Sequence, residues 1–211
     1  MRLTQILASQ LRHPKGWLGR RIFSRGMNVV NRRLIDRTLE LLELEPQHRV
    51  LEIGFGGGAS LGILLDRLGA GKIEGVDASP DMVQQAQRRF RQQIALGRLQ
   101  AQLADAGQLP FSDCCFDRVF TVNTIYFWPD TMQGLREILR VLNDGGRAAI
   151  ALRSREKMEK HAVTQYGFRL FSPQEVADIV SRAGFHDVTV DHRNQEKAYD
   201  DVVVMGHKSR P

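Results

Sequence analysis

The sequence is poor in the features that staple or anchor a chain. Only two cysteines occur among its 211 residues, Cys114 and Cys115, and they are adjacent. Adjacent cysteines make no ordinary disulfide framework and lack metal-ligand spacing, so no metal is expected and the pair reads as reduced thiols at the start of a strand. No apolar run approaches the roughly 18 residues of a membrane-spanning helix. No uninterrupted apolar segment with a small-residue cleavage site opens the chain, so a secretory signal is not expected and a cytoplasmic setting is. Neither an internal repeat nor a low-complexity tract is found.

Acid is scarce at one end. Arg2, Arg12, Lys15, Arg20, Arg21, Arg25, Arg32, Arg33 and Arg37 crowd the first segment, where Asp36 is almost the only acid; the whole chain carries +6. Such a stretch is either a solvated basic helix face or an attractor of anionic partners or of a membrane surface. What remains is ordinary for one globular domain of roughly 100–250 residues.

Residues 1–46 read as a basic helical lid or substrate segment. Leu3, Ile6, Leu7 and Leu11 recur near helical spacing until His13-Pro14-Lys15-Gly16 breaks the pattern. A second helix is predicted over 27–45, with Val30, Leu34, Thr38, Leu41 and Leu42 on one face and Pro46 as its stop. From 47 to 211 strand and helix alternate. Predicted strands are Arg49–Ile53, Lys72–Asp77, Leu99–Ala104, Arg118–Asn123 and Arg147–Leu152, then Val188–Val190 and Asp201–Met205. Predicted helices are Ala59–Leu68, one from Ser79-Pro80 to about Leu96, Thr131–Leu142, and one from Ser172-Pro173 to Ala183. The Asp144-Gly145-Gly146 turn is expected ahead of strand five. This alternation indicates an α/β domain, a seven-stranded and mostly parallel sheet with helices on both faces. Ligands of such sheets bind outside the carboxyl ends of the strands, so the loops after strands one to four hold the expected site.

Strand one runs into Gly54-Phe55-Gly56-Gly57-Gly58, a turn that lets a ligand approach the backbone. Gly54-x-Gly56-x-x-Ala59 also satisfies a dinucleotide fingerprint, which keeps an NAD-dependent oxidoreductase open. Three carboxylates qualify that reading. Glu52, two residues before Gly54, suits a cationic or hydrogen-bond-donating group and repels a pyrophosphate. Asp77, at the end of strand two, suits ribose hydroxyls in either cofactor family. Asp105, just after strand three, can accept from an adenine amine.

Taken in order, these segments resemble the class I S-adenosylmethionine-dependent methyltransferases of Rossmann-like fold. Val50 to Gly58 is similar to their first motif and Gly75-Val76-Asp77-Ala78-Ser79-Pro80-Asp81-Met82 to their second. Ala104-Asp105-Ala106 with Leu109-Pro110-Phe111 and Phe116-Asp117 resembles the third and fourth. Glu137 to Gly146 resembles the segment before strand five, and Ala183-Gly184-Phe185 with two strands resembles the family's ending. The resemblance covers residues 48–207 and implies S-adenosylmethionine as cofactor, with S-adenosylhomocysteine as product. By the same resemblance, Glu52, Gly54, Phe55, Gly56 and Gly58 face the methionine part and Asp77 the ribose. Ala78, Ser79 and Met82 line the adenosine pocket, Asp105 and Ala106 meet adenine, and Asn123 lies near the methyl-bearing sulfur. For Met82 a plain core contact competes with that role.

A sulfonium methyl is already activated, so holding a nucleophile in line supplies much of the rate and a base helps only a protonated acceptor. No base is named by the sequence; Tyr126, His161 and His13 are candidates, each against a bland surface or core alternative. Tyr126-Phe127-Trp128 falls where the family's acceptors sit. Asn123-x-x-Tyr126 is similar to the Asn-Pro-Pro-Tyr motif of amino-directed enzymes but lacks both prolines, so nucleic-acid or protein amines are not supported as acceptors. The vicinal cysteines do not match the spread set of arsenic methyltransferases. Methylation of a small molecule at O, N or S by a monomer or homodimer is therefore expected. A methyltransferase-like scaffold binding RNA or an anionic membrane through the basic N-terminus is the alternative of another class.

Overall fold

The computed structural model describes residues 24–195 and 199–210. The first expected helix, with His13 and most of the basic cluster, lies outside the described residues. Helix α1 (Ser24–Leu41) precedes β1 (Arg49–Ile53), α2 (Ala59–Arg67), β2 (Lys72–Asp77), α3 (Pro80–Arg89), α4 (Arg91–Ala95) and β3 (Leu99–Leu103). Then come β4 (Phe116–Val122), α5 (Thr131–Val141), β5 (Leu142–Leu152), the short α6 (Arg155–Met158), α7 (Pro173–Arg182), β6 (His186–Gln195) and β7 (Tyr199–His207).

The seven strands form one sheet in the order β3-β2-β1-β4-β5-β7-β6. β1 pairs in parallel with β2 and β4, and only β7 runs against its neighbours β5 and β6. Strand order turns back between β1 and β4, and that switch opens a crevice at the strands' carboxyl ends. Alternation along each strand splits the core in two. Leu51, Ile53, Val119 and Ile150 face one layer with α5 and α7; Val50, Phe120 and Ala149 face the other with α1, α2 and α3. Because both faces are covered there, β1 and the later halves of β4 and β5 read as largely apolar runs.

Where elements differ from their predicted bounds, a local cause is visible. α1 ends at Leu41 and not at Pro46, because Glu43 takes a left-handed φ of 48° and turns the chain. The Arg118 guanidinium then donates to the Leu42 carbonyl at 2.7 Å. α1 itself packs on α2, β4, β5 and β7 and buries Leu34, Ile35 and Leu39, so this part of the expected lid segment belongs to the core. The helix expected to reach Leu96 breaks at Phe90, whose ring seats against Gly58. β5 begins at Leu142 and absorbs Asp144-Gly145-Gly146 as a register shift opposite β4, rather than following a separate turn. β6 and β7 extend past their apolar centres, since backbone pairing continues through polar residues that give no periodicity.

Capping explains several helix starts. Asp130 accepts from Gln133 N at 3.0 Å, and Ser172 and Glu175 form a reciprocal capping box with Pro173 in the first turn. Ser79 occupies the equivalent position before α3 but makes no side-chain cap bond. Both cysteines are free and stand immediately before β4. No described helix is long and apolar enough to cross a membrane.

Candidate active site

The crevice holds a cavity of about 590 Å³, within the usual range of roughly 300–1,000 Å³ for small-molecule sites. The glycine turn forms one wall. Gly54 N donates to the Val76 carbonyl at 2.7 Å, which ties the turn to the end of β2. Gly54 and Gly56 both adopt left-handed φ, 77° and 50°. A Cβ on Gly54 would collide with Thr124, whereas one on Gly56 would meet no atom within 4 Å. Gly54 is thus required by packing, and Gly56 leaves open cavity above the backbone. Phe55 turns away from solvent and lies under Gly75, where an added Cβ would meet its ring at 2.8 Å.

Glu52 is 2% exposed and lines the cavity. Ser60 Oγ donates to its Oε1 at 2.5 Å, while its Oε2, also buried, has no partner. Burial first, then the neighbouring Asp77 charge, push this carboxyl up to about 8, against the Ser60 bond. A cationic donor beside Oε2 would reverse that balance. Asp77 Oδ2 accepts from Gly56 N at 2.8 Å and Oδ1 from Ser79 N at 2.9 Å, so one carboxylate braces the turn and the start of α3. Asp105 Oδ1 accepts from Gly107 N at 2.8 Å. The loop that carries Asp105 is held by Arg140, which donates to the Leu109 and Phe111 carbonyls and to Asp113.

Of the predicted cofactor residues, Glu52, Gly54, Phe55, Gly56, Asp77, Ala78, Met82, Asp105, Ala106 and Asn123 line this cavity. Gly58 and Ser79 do not: Gly58 packs on Phe90 at the start of α2, and Ser79 is buried at the start of α3. Met82 is also part of the core, so its two readings coincide.

The opposite wall follows β4 and β5. Asn123 takes a left-handed φ of 58°, which Asn tolerates better than most residues. Its Nδ2 donates to Asn31 Oδ1 on α1 at 3.0 Å. Its Oδ1 accepts from the Tyr126 hydroxyl at 3.2 Å. That hydroxyl also takes the Arg153 N–H at 2.6 Å and lies 3.0 Å from the Arg153 carbonyl. Tyr126 is buried, and desolvation drives its acidity well below that of a free phenol. It therefore stays protonated and serves as a clamp between β4 and β5. Phe127 and Trp128 line the cavity too, but Trp128 also fills the space above Gly134 and belongs to the core.

Among the named base candidates, His161 reaches the cavity rim, in the segment between β5 and α7, and is exposed. The sequence reading missed Asn31, Ile35, Thr124, Arg153, Met158, Val163, Thr164 and Phe168, all of which line the cavity. Asn31 and Ile35 lie in the segment expected to serve as lid or substrate wall, and Arg153 is the first residue after a parallel strand next to the switch. Among the described residues, no group of three His, Cys, Asp or Glu side chains gathers to hold a metal ion.

This arrangement has known counterparts. The family described as "Methyltransferase domain" matches residues 50–146. The uncharacterized methyltransferase YdaC of Bacillus subtilis is 31% identical over 168 residues, covering 80% of this chain and 88% of YdaC. The malonyl-[acyl-carrier protein] O-methyltransferase of Geobacter sulfurreducens is 32% identical, covering 82% of this chain and 70% of that enzyme. A S-adenosylmethionine-dependent methyltransferase from Aquifex aeolicus superposes with a TM-score of 0.70 at 22% identity, covering 87% of this chain and 96% of the other. The chain belongs to the class I S-adenosylmethionine-dependent methyltransferases.

Proposed function

We propose that the cavity takes S-adenosylmethionine along β1, β2 and β3 and that the chain methylates a small molecule held beside β4 and β5. The observation that carries this reading is the buried, unpartnered Oε2 of Glu52 beside a glycine turn that leaves open space. An isolated buried carboxylate is costly, and a ligand ammonium would satisfy it. Asp77 would hold the ribose hydroxyls and Asp105 with Ala106 the adenine. Asn123 would stand nearest the reacting end. When bound, the cofactor supplies a methyl group on a cationic sulfur.

The chain's own residues orient and exclude. The Asn31–Asn123–Tyr126–Arg153 hydrogen bonds fix the acceptor wall, and the aromatic side chains keep water from it. Orientation of this kind supplies much of a transfer rate without a base. Glu52 also weighs against the NAD fingerprint, since a pyrophosphate at this turn would face a carboxyl. RNA or membrane contact rests on the basic N-terminal residues, most of which lie outside those described. A cytoplasmic setting agrees with the free thiols.

Isothermal titration with S-adenosylhomocysteine tests the reading. The wild type should bind, and Asp77→Ala should weaken binding by roughly tenfold or more. A wild type that fails to bind would sink it.

A further inference from the structure

The wall of strand ends suits only half of an amino-acid group. Glu52, Asp77 and Asp105 stand at or just beyond the ends of β1, β2 and β3, and all three carry carboxyl groups. They suit the ammonium of S-adenosylmethionine and repel the carboxylate on the same carbon. That carboxylate needs a donor from another part of the cavity.

α1 supplies one. Asn31 and Ile35, one helical turn apart, line the cavity, and Ile35 is buried in the layer that α1 shares with α2. Glu52 meets the same layer through Ser60, on α2. Asn31 and Glu52 thus flank the cavity from one side of the sheet. Leu34 and Leu39 pack this part of α1 into the core. Arg37 grips Asp191 with hydrogen bonds of 3.1 and 2.6 Å, so Asn31 is presented by a fixed element. The hydrogen bonds of the opposite wall orient its amide. The Tyr126 hydroxyl donates to Asn123 Oδ1, so Asn123 turns its Nδ2 to Asn31, which presents Oδ1. Nδ2 of Asn31, with its two N–H groups, is then the end of the amide directed away from Asn123.

Resting on the cofactor reading above, we propose that Asn31 joins the two walls: its Nδ2 donates to the amino-acid carboxylate of the cofactor while its Oδ1 holds Asn123. The group recognised is an α-amino-acid zwitterion, with its ammonium on Glu52 and its carboxylate on a neutral amide. A neutral donor suits this place, since a cationic side chain would compete with the ammonium for Glu52. The amide that takes the carboxylate is also the one that anchors Asn123, so an occupied donor site steadies the acceptor wall.

Isothermal titration of the full chain with S-adenosylhomocysteine and with methylthioadenosine, which keeps the nucleoside and lacks the amino-acid part, tests this. Asn31→Leu and Asn31→Asp should each weaken S-adenosylhomocysteine by roughly tenfold or more. Asn31→Asp should be the weaker binder, since it still accepts from Asn123 but repels the carboxylate. Methylthioadenosine affinity should move by less than about threefold in both variants, which also shows that they fold. Asn123→Gly keeps the left-handed backbone, and its loss of S-adenosylhomocysteine affinity should be less than additive with that of Asn31→Leu. Unchanged S-adenosylhomocysteine affinity in the Asn31 variants, or equal weakening of both ligands, would overturn the proposal. Additive losses would overturn the link to Asn123. A wild type that binds S-adenosylhomocysteine while the Asn31 variants bind it equally well overturns this proposal alone; a wild type that does not bind it overturns the cofactor reading as well.

Discussion

The two walls of the cavity are built on different principles. The wall along β1, β2 and β3 is made by strand ends and tight turns, where a few residues do several jobs within short sequence distance. Asp77 braces Gly56 and Ser79 at once. The wall along β4 and β5 is assembled from segments far apart in sequence. Asn31 comes from α1, Asn123 and Tyr126 from the loop after β4, and Phe168 from the stretch before α7. The first wall tolerates little change of backbone. The second depends on side-chain hydrogen bonds and packing, which can be altered one at a time.

Substitutions at the two walls should therefore fail differently. The largest effect is expected at Gly54→Ala, where a positive φ combines with collision against Thr124. Unfolding by urea should show a loss of about 3 kcal/mol or more, with S-adenosylhomocysteine binding lost. Gly56→Ala sharpens the contrast. Its added methyl meets nothing within 4 Å, so stability should fall by only about 1 kcal/mol, while cofactor binding drops steeply. Equal loss of fold and binding in both variants would break the distinction between packing and cavity glycines.

Next in size is Glu52. Its carboxyl is raised to about 8 in the folded chain, against roughly 4.3 when unfolded. The folded state thus holds this proton more tightly. The associated stability is complete at acid pH and is lost as pH rises to about 8. Glu52→Gln lacks that loss, so its Tm should gain on the wild type between about pH 5 and 9. A constant Tm difference would contradict the burial argument. It should also bind S-adenosylhomocysteine more weakly.

Tyr126→Phe probes the second wall. It leaves the Arg153 N–H without its partner, which should cost about 1–3 kcal/mol. Turnover should fall while S-adenosylhomocysteine affinity stays within about threefold. The smallest effect is expected at Ser172→Ala, away from both walls. Losing the capping box should cost about 1 kcal/mol with unchanged kcat/KM.

The same contrast explains what could be read from the sequence. β1, β2 and the start of α5 have their predicted first residues, since apolar runs, glycines and caps are local signals. Ten predicted contact residues line one cavity because they sit on strand ends and turns whose order fixes their place. Asn31 and Phe168 were illegible, since nothing local marks a helix polar residue or a loop aromatic as facing a distant crevice. Gly58 and Ser79 were drawn into the expected site by their neighbours, while packing on Phe90 and burial at α3 keep them off its wall. α1 stopped early because Glu43 turned the chain, and no residue type announces a left-handed glutamate.

The stretch between β5 and α7 enters and leaves the domain at fixed points: Ser154 N donates to Asp200 at 2.8 Å, and Arg155 N to the Phe171 carbonyl at 2.7 Å. Between them, Arg169 N donates to the Tyr126 carbonyl at 3.0 Å and Phe168 packs on Phe127, so residues 155–170 join the domain at few points. On the proposed reading, swapping that span for one of other length or chemistry would readdress the enzyme to a new acceptor without rewriting the donor wall, so a change of trade here needs a splice and not a redesign.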